Sequence, residues 1–378
     1  MTNIINISLV GGQTMPVHVG IATCKPDKII LVHSSSSKEE ARKIADLCGI
    51  PSHRVEFPLN DYSQVLSKAQ SLLDEQVGQQ VYVNISSGTK HWAIAFAMLS
   101  VERDNVNIFY IDQNNYMHDL TLNKSSKLEL HLDIDTILRY NNQKGYTYSS
   151  LSNYTKKDFE VMLEVKKLRH FHYKEFGMLT LAARDRDWGK ELETSLHPYK
   201  RLNPPLYGEV EYDKPSSVVT FSFIDEKRNR YDAQLSSPHV GDIVFNAGWF
   251  EYEMAKMLSE WIHAKEVWMN VKFPYIDGNT KNEIDIIVNM GNKLLFVECK
   301  TNIYDNTDID KFRTAVKTYG GMGSKALFIT ERIREITKEK CKDCGIMSFQ
   351  LSGKKSRRER KEKLFSLLEN ELNIINKG

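Results

Sequence analysis

The chain has few of the features that settle a protein's class at once. Five cysteines (Cys24, Cys48, Cys299, Cys341 and Cys344) give no disulfide framework. Cys341 and Cys344 form one C-x-x-C, but no second pair and no spaced histidines follow, which argues against a zinc or redox centre. No apolar run approaches a membrane span, and the N-terminus has no basic stretch leading into an apolar cleavage signal, so a cytoplasmic protein is expected. Neither G-x-x-x-x-G-K-[ST] nor G-x-G-x-x-G occurs, which excludes a Walker loop and argues against a dinucleotide cofactor. There are no internal repeats. Net charge is only +2, so the whole chain is not a polycation.

What is present points to an ordinary globular protein of 378 residues, long enough for two or three domains, with 41% hydrophobic and 26% charged residues. The near-neutral balance hides one basic run. Residues 353–363 hold seven basic and two acidic side chains and lead into an amphipathic helix with Leu364, Phe365, Leu367, Leu368 and Leu372. Such a run reads either as a solvated helix start or as a surface for a phosphate backbone.

The densest chemical signal lies between Glu283 and Lys300. Residues 284–289 and 293–299 read as two strands, and Gly291-Asn292 suits a two-residue hairpin loop. That loop sets Asp285 opposite Glu298 and Glu283 opposite Lys300. Side chains alternate along a strand, so all four share one face. Ile284, Ile286, Val288, Leu295, Val297 and Cys299 fall on the other, an apolar set for a core. Facing carboxylates repel, and a divalent cation is the simplest group that reconciles them.

This constellation resembles the core of the PD-(D/E)xK nuclease superfamily, with Asp285 and then Glu298-Cys299-Lys300 as the motif and Ile284 standing where the family name has proline. The resemblance implies Mn2+ or Mg2+ held by Asp285, Glu298 and the Cys299 carbonyl, with Glu283 and Glu251 as further acidic candidates. Glu251 comes from Gly248-Trp249-Phe250-Glu251, which opens a helical stripe of Phe250, Met254, Met257, Leu258 and Trp261; Glu253 is its competitor. Lys300 would orient the attacking water or stabilise the transition state. Downstream, 310–319 reads as a helix burying Phe312, Val316 and Tyr319, and 326–330 as a buried strand, completing an α/β core.

In the N-terminal part, 3–10, 28–33, 81–85 and 106–111 read as strands, with helices over 38–48, 62–77 and 91–101. Alternation of this kind implies a parallel sheet with helices on both faces, whose ligands bind at the carboxyl ends of the strands. Small polar loops occur at those ends: Gly11-Gly12-Gln13-Thr14, Ser34 to Ser37, and Ser86-Ser87-Gly88-Thr89-Lys90. Free N–H groups there attract phosphate, and Lys90 adds a positive charge. Thr89 reads equally as an ordinary helix cap.

Taken together, these loops resemble those of CARF domains, the Rossmann-like sensors of cyclic oligoadenylate. The order of the two halves is similar to the Can2/Card1 group of type III CRISPR ancillary nucleases. That resemblance implies ligand contacts from Gly12, Gln13, Thr14, Ser34, Ser86, Gly88, Thr89 and Lys90, with cyclic tetra-adenylate as activator and a homodimer around it. It also implies cleavage of single-stranded DNA or RNA, or nicking of duplex DNA, in antiviral defence. The expected layout is a sensor over 1–145, a connector over 146–235 and a restriction-endonuclease-like α/β domain over 236–378. Within the connector, 156–176 reads as one helix burying Phe159, Leu163 and Leu168, and Arg184-Asp185-Arg186-Asp187 as an ion-pair surface. Two alternatives remain at this level: a free-standing restriction or repair nuclease without the gate, and a ligand-gated nucleic-acid-binding regulator with an inactive nuclease fold.

Overall fold

The structure, a computed structural model, describes residues 3–112, 114–184, 207–225, 227–245, 248–291, 293–302, 307–321, 323–351 and 356–372. Asp185 to Asp187 of the expected ion-pair run and Asn292 of the hairpin loop therefore lie outside the described residues. The chain divides into two compact units, one made of Met1–Lys144, Gly291–Leu294 and Lys317–Ser324, the other of the remainder.

The first unit alternates β1 (Ile4–Leu9), α1 (Met15–Cys24), β2 (Lys28–His33), α2 (Lys38–Cys48), β3 (Ser52–Glu56), α3 (Tyr62–Asp74), β4 (Gln80–Asn84), α4 (Lys90–Ser100) and β5 (Val106–Ile111). It continues with β6 (Tyr116–Asp119), β7 (Lys124–Lys127) and α5 (Ile134–Tyr140). The sheet order is β3-β2-β1-β4-β5-β6-β7, parallel through β5 and antiparallel beyond it. Central strands are apolar on both sides because both faces are covered. Leu72, Leu73, Trp92 and Phe96 of α3 and α4 pack on Ile5, Ile7 and Val83. Val17, Ile21, Ala41 and Ile44 of α1 and α2 pack with Ile29, Leu31 and Tyr140. The parallel order reverses between β1 and β4, the switch point at which sheets of this kind take their ligands.

The second unit contains β8 (Thr147–Ser150), α6 (Lys156–Phe171), α7 (Tyr173–Arg184), β9 (Tyr207–Asp213), β10 (Val218–Ile224), β11 (Arg230–Ser236), α8 (Val240–Phe245) and α9 (Gly248–Ser259). These are followed by β12 (Glu266–Pro274), β13 (Thr280–Asn289), β14 (Leu294–Asn302), α10 (Thr307–Gly320), β15 (Lys325–Arg332), α11 (Glu335–Asp343), β16 (Met347–Gln350) and α12 (Arg357–Glu371). The main sheet runs β16-β15-β14-β13-β12-β8, and a separate three-stranded sheet runs β11-β10-β9.

The described residues of 146–235, expected as a connector, belong to the second unit. β8 is the edge strand of the main sheet, pairing antiparallel with β12. Val161, Val165, Phe176, Phe221 and Phe223 share one core with Met254, Leu258, Ile286 and Val297. Burying that much apolar surface ties the segment to the unit instead of leaving it between units. The expected helix over 156–176 is also two helices, broken at His172. Its buried stripe is Val161, Met162, Val165 and Leu168, at a one-four-seven spacing, whereas Leu163 is 41% exposed.

The two strands of the acidic hairpin extend further than the sequence pattern implied and are neighbours in the sheet. The expected apolar set is buried, and so are Ile287, Leu294 and Phe296 on the opposite face. α10 explains this second covered face, since Phe312 meets Phe328 edge-on at 5.9 Å. Polar residues are therefore confined to one end of the face. Among the described residues no helix is long and apolar enough to cross a membrane.

Candidate functional site

A cleft of about 1270 Å³ opens in the second unit, and Glu251, Glu283, Asp285, Glu298, Cys299 and Lys300 all line it. Three elements deliver them: α9 brings Glu251, β13 brings Glu283 and Asp285, and β14 brings Glu298 to Lys300. The competition within α9 is resolved by packing. Glu253 turns into the core and pairs with Lys166 at 2.5 Å, while Glu251 faces the cleft.

The electrostatics are those of crowded acids. Burial, with the neighbouring Glu298 and Glu251 charges, drives the Asp285 carboxyl well above the usual carboxylate range. Burial and then Glu283 push Glu251 up to about 8, against the opposing pull of Lys300. Burial also raises Glu298, although Lys300 works to lower it. For Lys300 itself burial works against the charge, and Glu298 and Asp285 outweigh it, so the ammonium is held more tightly than in water. Asp308 at the start of α10 adds further negative charge near Glu298.

Two contacts fix the geometry. Asp285 Oδ2 accepts from the Cys299 N–H at 2.7 Å, and Lys300 Nζ reaches Glu298 Oε1 at 2.8 Å. Glu283, expected opposite Lys300, also meets a cation on its other flank. Lys272 is the residue opposite Glu283 on β12 and pairs with it at 3.9 Å, because two strands flank β13 and the neighbour on the other side also carries a cation. Among the described residues no three His, Cys, Asp or Glu side chains stand together as a ready ion-holding group. The donor chemistry nevertheless fits a hard divalent cation: buried carboxylates whose pKa values are raised by burial and by neighbouring acids, together with the Cys299 backbone.

Several cleft residues carried no sequence signal. Tyr148 and Ser149 come from β8, Arg169 from α6, Tyr173 and Lys174 from α7, Asp242 from α8, and Asn270 and Lys272 from β12. Asn270 has φ of 52° at a shift of register against β8, a left-handed bulge of the sort that re-aims side chains beside sites. Only the residue type at 270 hinted at it, since asparagine tolerates that region.

Part of the basic run is paired within the fold. Arg357 and Lys361 both bind Glu260, at 2.6 and 3.0 Å, and Arg358 pairs with Glu362. Leu364 and Leu368 are buried as expected. Cys341 is buried and Cys344 partly so, both free, and burial pushes the Cys341 thiol up to about 11, far from a reactive thiolate.

In the first unit the loops expected to bind a ligand lie after β1, β2 and β4, on both sides of the switch point. Gly12 and Gln13 are exposed, and Thr14 is the buried residue before α1. Gly11 N–H donates to Ser87 Oγ at 3.0 Å, tying two of the loops together. Ser34 is buried: its Oγ lies 2.8 Å from that of Ser36 and accepts from the Ser37 N–H. Ser86 Oγ accepts from the Ile111 N–H at 2.7 Å. Thr89 caps α4 through the Trp92 N–H at 3.3 Å, and Lys90 is exposed beside it. Gly88 has φ of 79°, and a Cβ there would sit 2.8 Å from the Leu9 Cβ. Ser34 and Ser86 thus hold the loops, whereas Gly12, Gln13 and Lys90 face outward.

Comparison with known proteins agrees with the fold. Residues 5–136 match the Card1 CARF domain family. Can2 from Sulfobacillus thermosulfidooxidans, solved in complex with cyclic tetra-adenylate, is 18% identical with a TM-score of 0.66, over 98% of this chain and 99% of its own. Protein VC1899 from Vibrio cholerae is 15% identical with a TM-score of 0.68, over 98% and 97%. A type III CRISPR defence DNA nuclease activated by cyclic oligoadenylate is 15% identical with a TM-score of 0.51, over 88% of this chain and 46% of its own. No curated protein matches the sequence. The chain is similar to the Can2/Card1 group in fold over its whole length: a parallel-rich N-terminal sheet of the CARF type and a second sheet domain.

Proposed function

We propose that this chain is a metal-dependent nuclease that cyclic tetra-adenylate switches on, acting in type III CRISPR defence. The observation that carries the reading is the convergence of Glu251, Asp285, Glu298 and Lys300 in one cleft whose acids raise one another's pKa. Asp285, Glu298 and the Cys299 carbonyl would hold Mn2+ or Mg2+, which when bound lowers the pKa of a water and offsets charge on the attacked phosphate. Glu251 and Glu283 supply further acidic groups beside them. Lys300 presents a fixed positive charge to the developing negative charge of the phosphorane, its own proton secured by Glu298 and Asp285. The remaining walls place the strand.

The similarity to the Card1 CARF domain and the fold shared with Can2 support a cyclic oligoadenylate at the crevice after β1 and β4, near Gly12, Gln13, Gly88, Thr89 and Lys90. A ring with near two-fold symmetry calls for a homodimer. One surface suits it: Ile94 and Met98 on α4 and Val101 at its C-cap form a stripe with 51%, 59% and 85% of their surface exposed, on the helix that leaves the Ser86 to Lys90 loop. The ring activates by binding the cutting-competent arrangement more tightly than the idle one.

The test crosses cyclic tetra-adenylate, Mn2+ or Mg2+, and single-stranded or duplex DNA or RNA in one cleavage assay. Cutting that needs both metal and ring supports the reading. Cutting that ignores the ring refutes the gate, and no cutting with any metal refutes the enzyme.

A further inference from the structure

We propose that Tyr148 is a positioning residue, a platform on which an unpaired base next to the attacked phosphate stacks; this rests on the nuclease reading of the cleft. Three observations carry it. The Tyr148 ring lies flat on Trp268, with centroids 3.4 Å apart and planes within 4°. Trp268 is itself fixed, buried and donating through Nε1 to Glu266 at 2.7 Å. Yet 45% of Tyr148 remains exposed and the residue lines the cleft. One face of its ring is thus held rigid and the residue stays open to a third ring.

The sheet puts this platform close to the acids. Thr147 of β8, Lys272 of β12 and Glu283 of β13 form one row across three strands. Two strand spacings make that row about 10 Å long. Tyr148 is next to that row on the edge strand, and its side chain lines the same cleft as Glu283 and Asp285. Elsewhere on the cleft wall are cations: Lys174, and Arg169, whose guanidinium lies 4.9 Å from the Trp249 ring centre and 5.9 Å from that of Tyr173. Aromatic faces together with positive charges that track a backbone are the chemistry that grips a flexible strand whatever its sequence. A duplex, with its bases already stacked on one another, offers Tyr148 no free face.

A tyrosine laid over a tryptophan at a sheet edge also shields the sheet, so the test separates stacking from packing. Full-length protein with cyclic tetra-adenylate and Mn2+ is assayed on a single strand of thymidines and on the same strand with abasic sites flanking the scissile phosphate. Tyr148→Ala should raise KM on the order of tenfold on the intact strand, the loss falling on KM and not on kcat. Tyr148→Phe keeps the ring and should restore KM. On the abasic strand the unaltered enzyme and Tyr148→Ala should match. A lowered Tm with an unchanged KM would overturn the proposal, as would a KM penalty that persists without the base. If the unaltered enzyme cuts nothing, the nuclease reading falls, and strand affinity by fluorescence anisotropy still decides the stacking: equal affinities for the Ala and Phe variants would sink it.

Discussion

In the first unit the polar groups of the loops after β1, β2 and β4 bond to one another and to nearby backbone. In the second, the acidic groups of the cleft face one another, with Lys300 as their close partner on Glu298. The loops of the first are small residues whose hydroxyls are already bonded. The cleft of the second stores repulsion that a bound cation would relieve. Substitutions should therefore behave oppositely in the two places: removing an acidic charge from the cleft relieves the fold and ends the chemistry, and adding bulk to the loops harms the fold first.

The largest expected effect is on catalysis. Lys300→Ala should lower kcat by on the order of a thousandfold and also lower Tm, since oxyanion-type stabilisation is lost and Glu298 and Asp285 lose their cation. Asp285→Asn should abolish Mn2+-dependent cleavage and also raise Tm by a few degrees without metal, because the amide keeps the oxygen that accepts from Cys299 and sheds a repelled charge. Thermal unfolding with and without Mn2+ checks both; a Tm that falls in Asp285→Asn would show that the acids are not in conflict.

The next effect falls on the loops. Gly88→Ala should cost on the order of 2 kcal/mol, combining a positive φ with a contact that cannot yield. Thr89→Ala should cost about 1 kcal/mol through the lost cap. Lys90→Ala should leave stability alone and weaken cyclic tetra-adenylate, read by calorimetry. Equal Tm for all three would mean that the loops are not prestressed.

A smaller effect separates the two units by pH. Burial lowers the His18 pKa to about 4, from about 6.5 in an unfolded chain, so the first unit loses stability as pH falls between those values, when the unfolded state takes up a proton and the native state does not. For Asp158 in the second unit burial opposes the charge, but donors including Thr155 and the His239 N–H outweigh it and hold the carboxyl below its usual range. Its contribution is present above about pH 4 and is lost only as pH falls below that. His18→Phe should flatten the first slope and Asp158→Asn the second. Hydrogen exchange resolved by unit, at pH 7, 5 and about 3.5, reads both.

The acidic hairpin was legible because alternation, turn residues and charge all fall within eighteen positions, Glu283 to Lys300. The parallel sheet was legible because strands of the first unit are short apolar runs ended by small polar loops. β3 was missed: Ser52–Glu56 reads S-H-R-V-E and four of its five residues are exposed, an edge strand without apolar alternation. Leu163 misled because leucine at an exposed helix position looks the same in sequence as a buried one, and only the break at His172 fixes the phase. Tyr148, Arg169 and Asn270 were invisible because pairing over more than a hundred residues brings β8 to β12, and no local pattern encodes it. Glu251 and Glu253 could not be separated until Lys166 was seen to claim the second.

The place of β8 bears on how this protein can be divided for study. A fragment starting at residue 236 would discard the strand that closes one flank of its main sheet, together with α6, α7 and the small antiparallel sheet. β12 would be left with a row of open N–H and C=O groups, a template for sticking to its own copies. An excised C-terminal half has to begin near Gly145, with the three-stranded sheet kept, if it is to stay monodisperse.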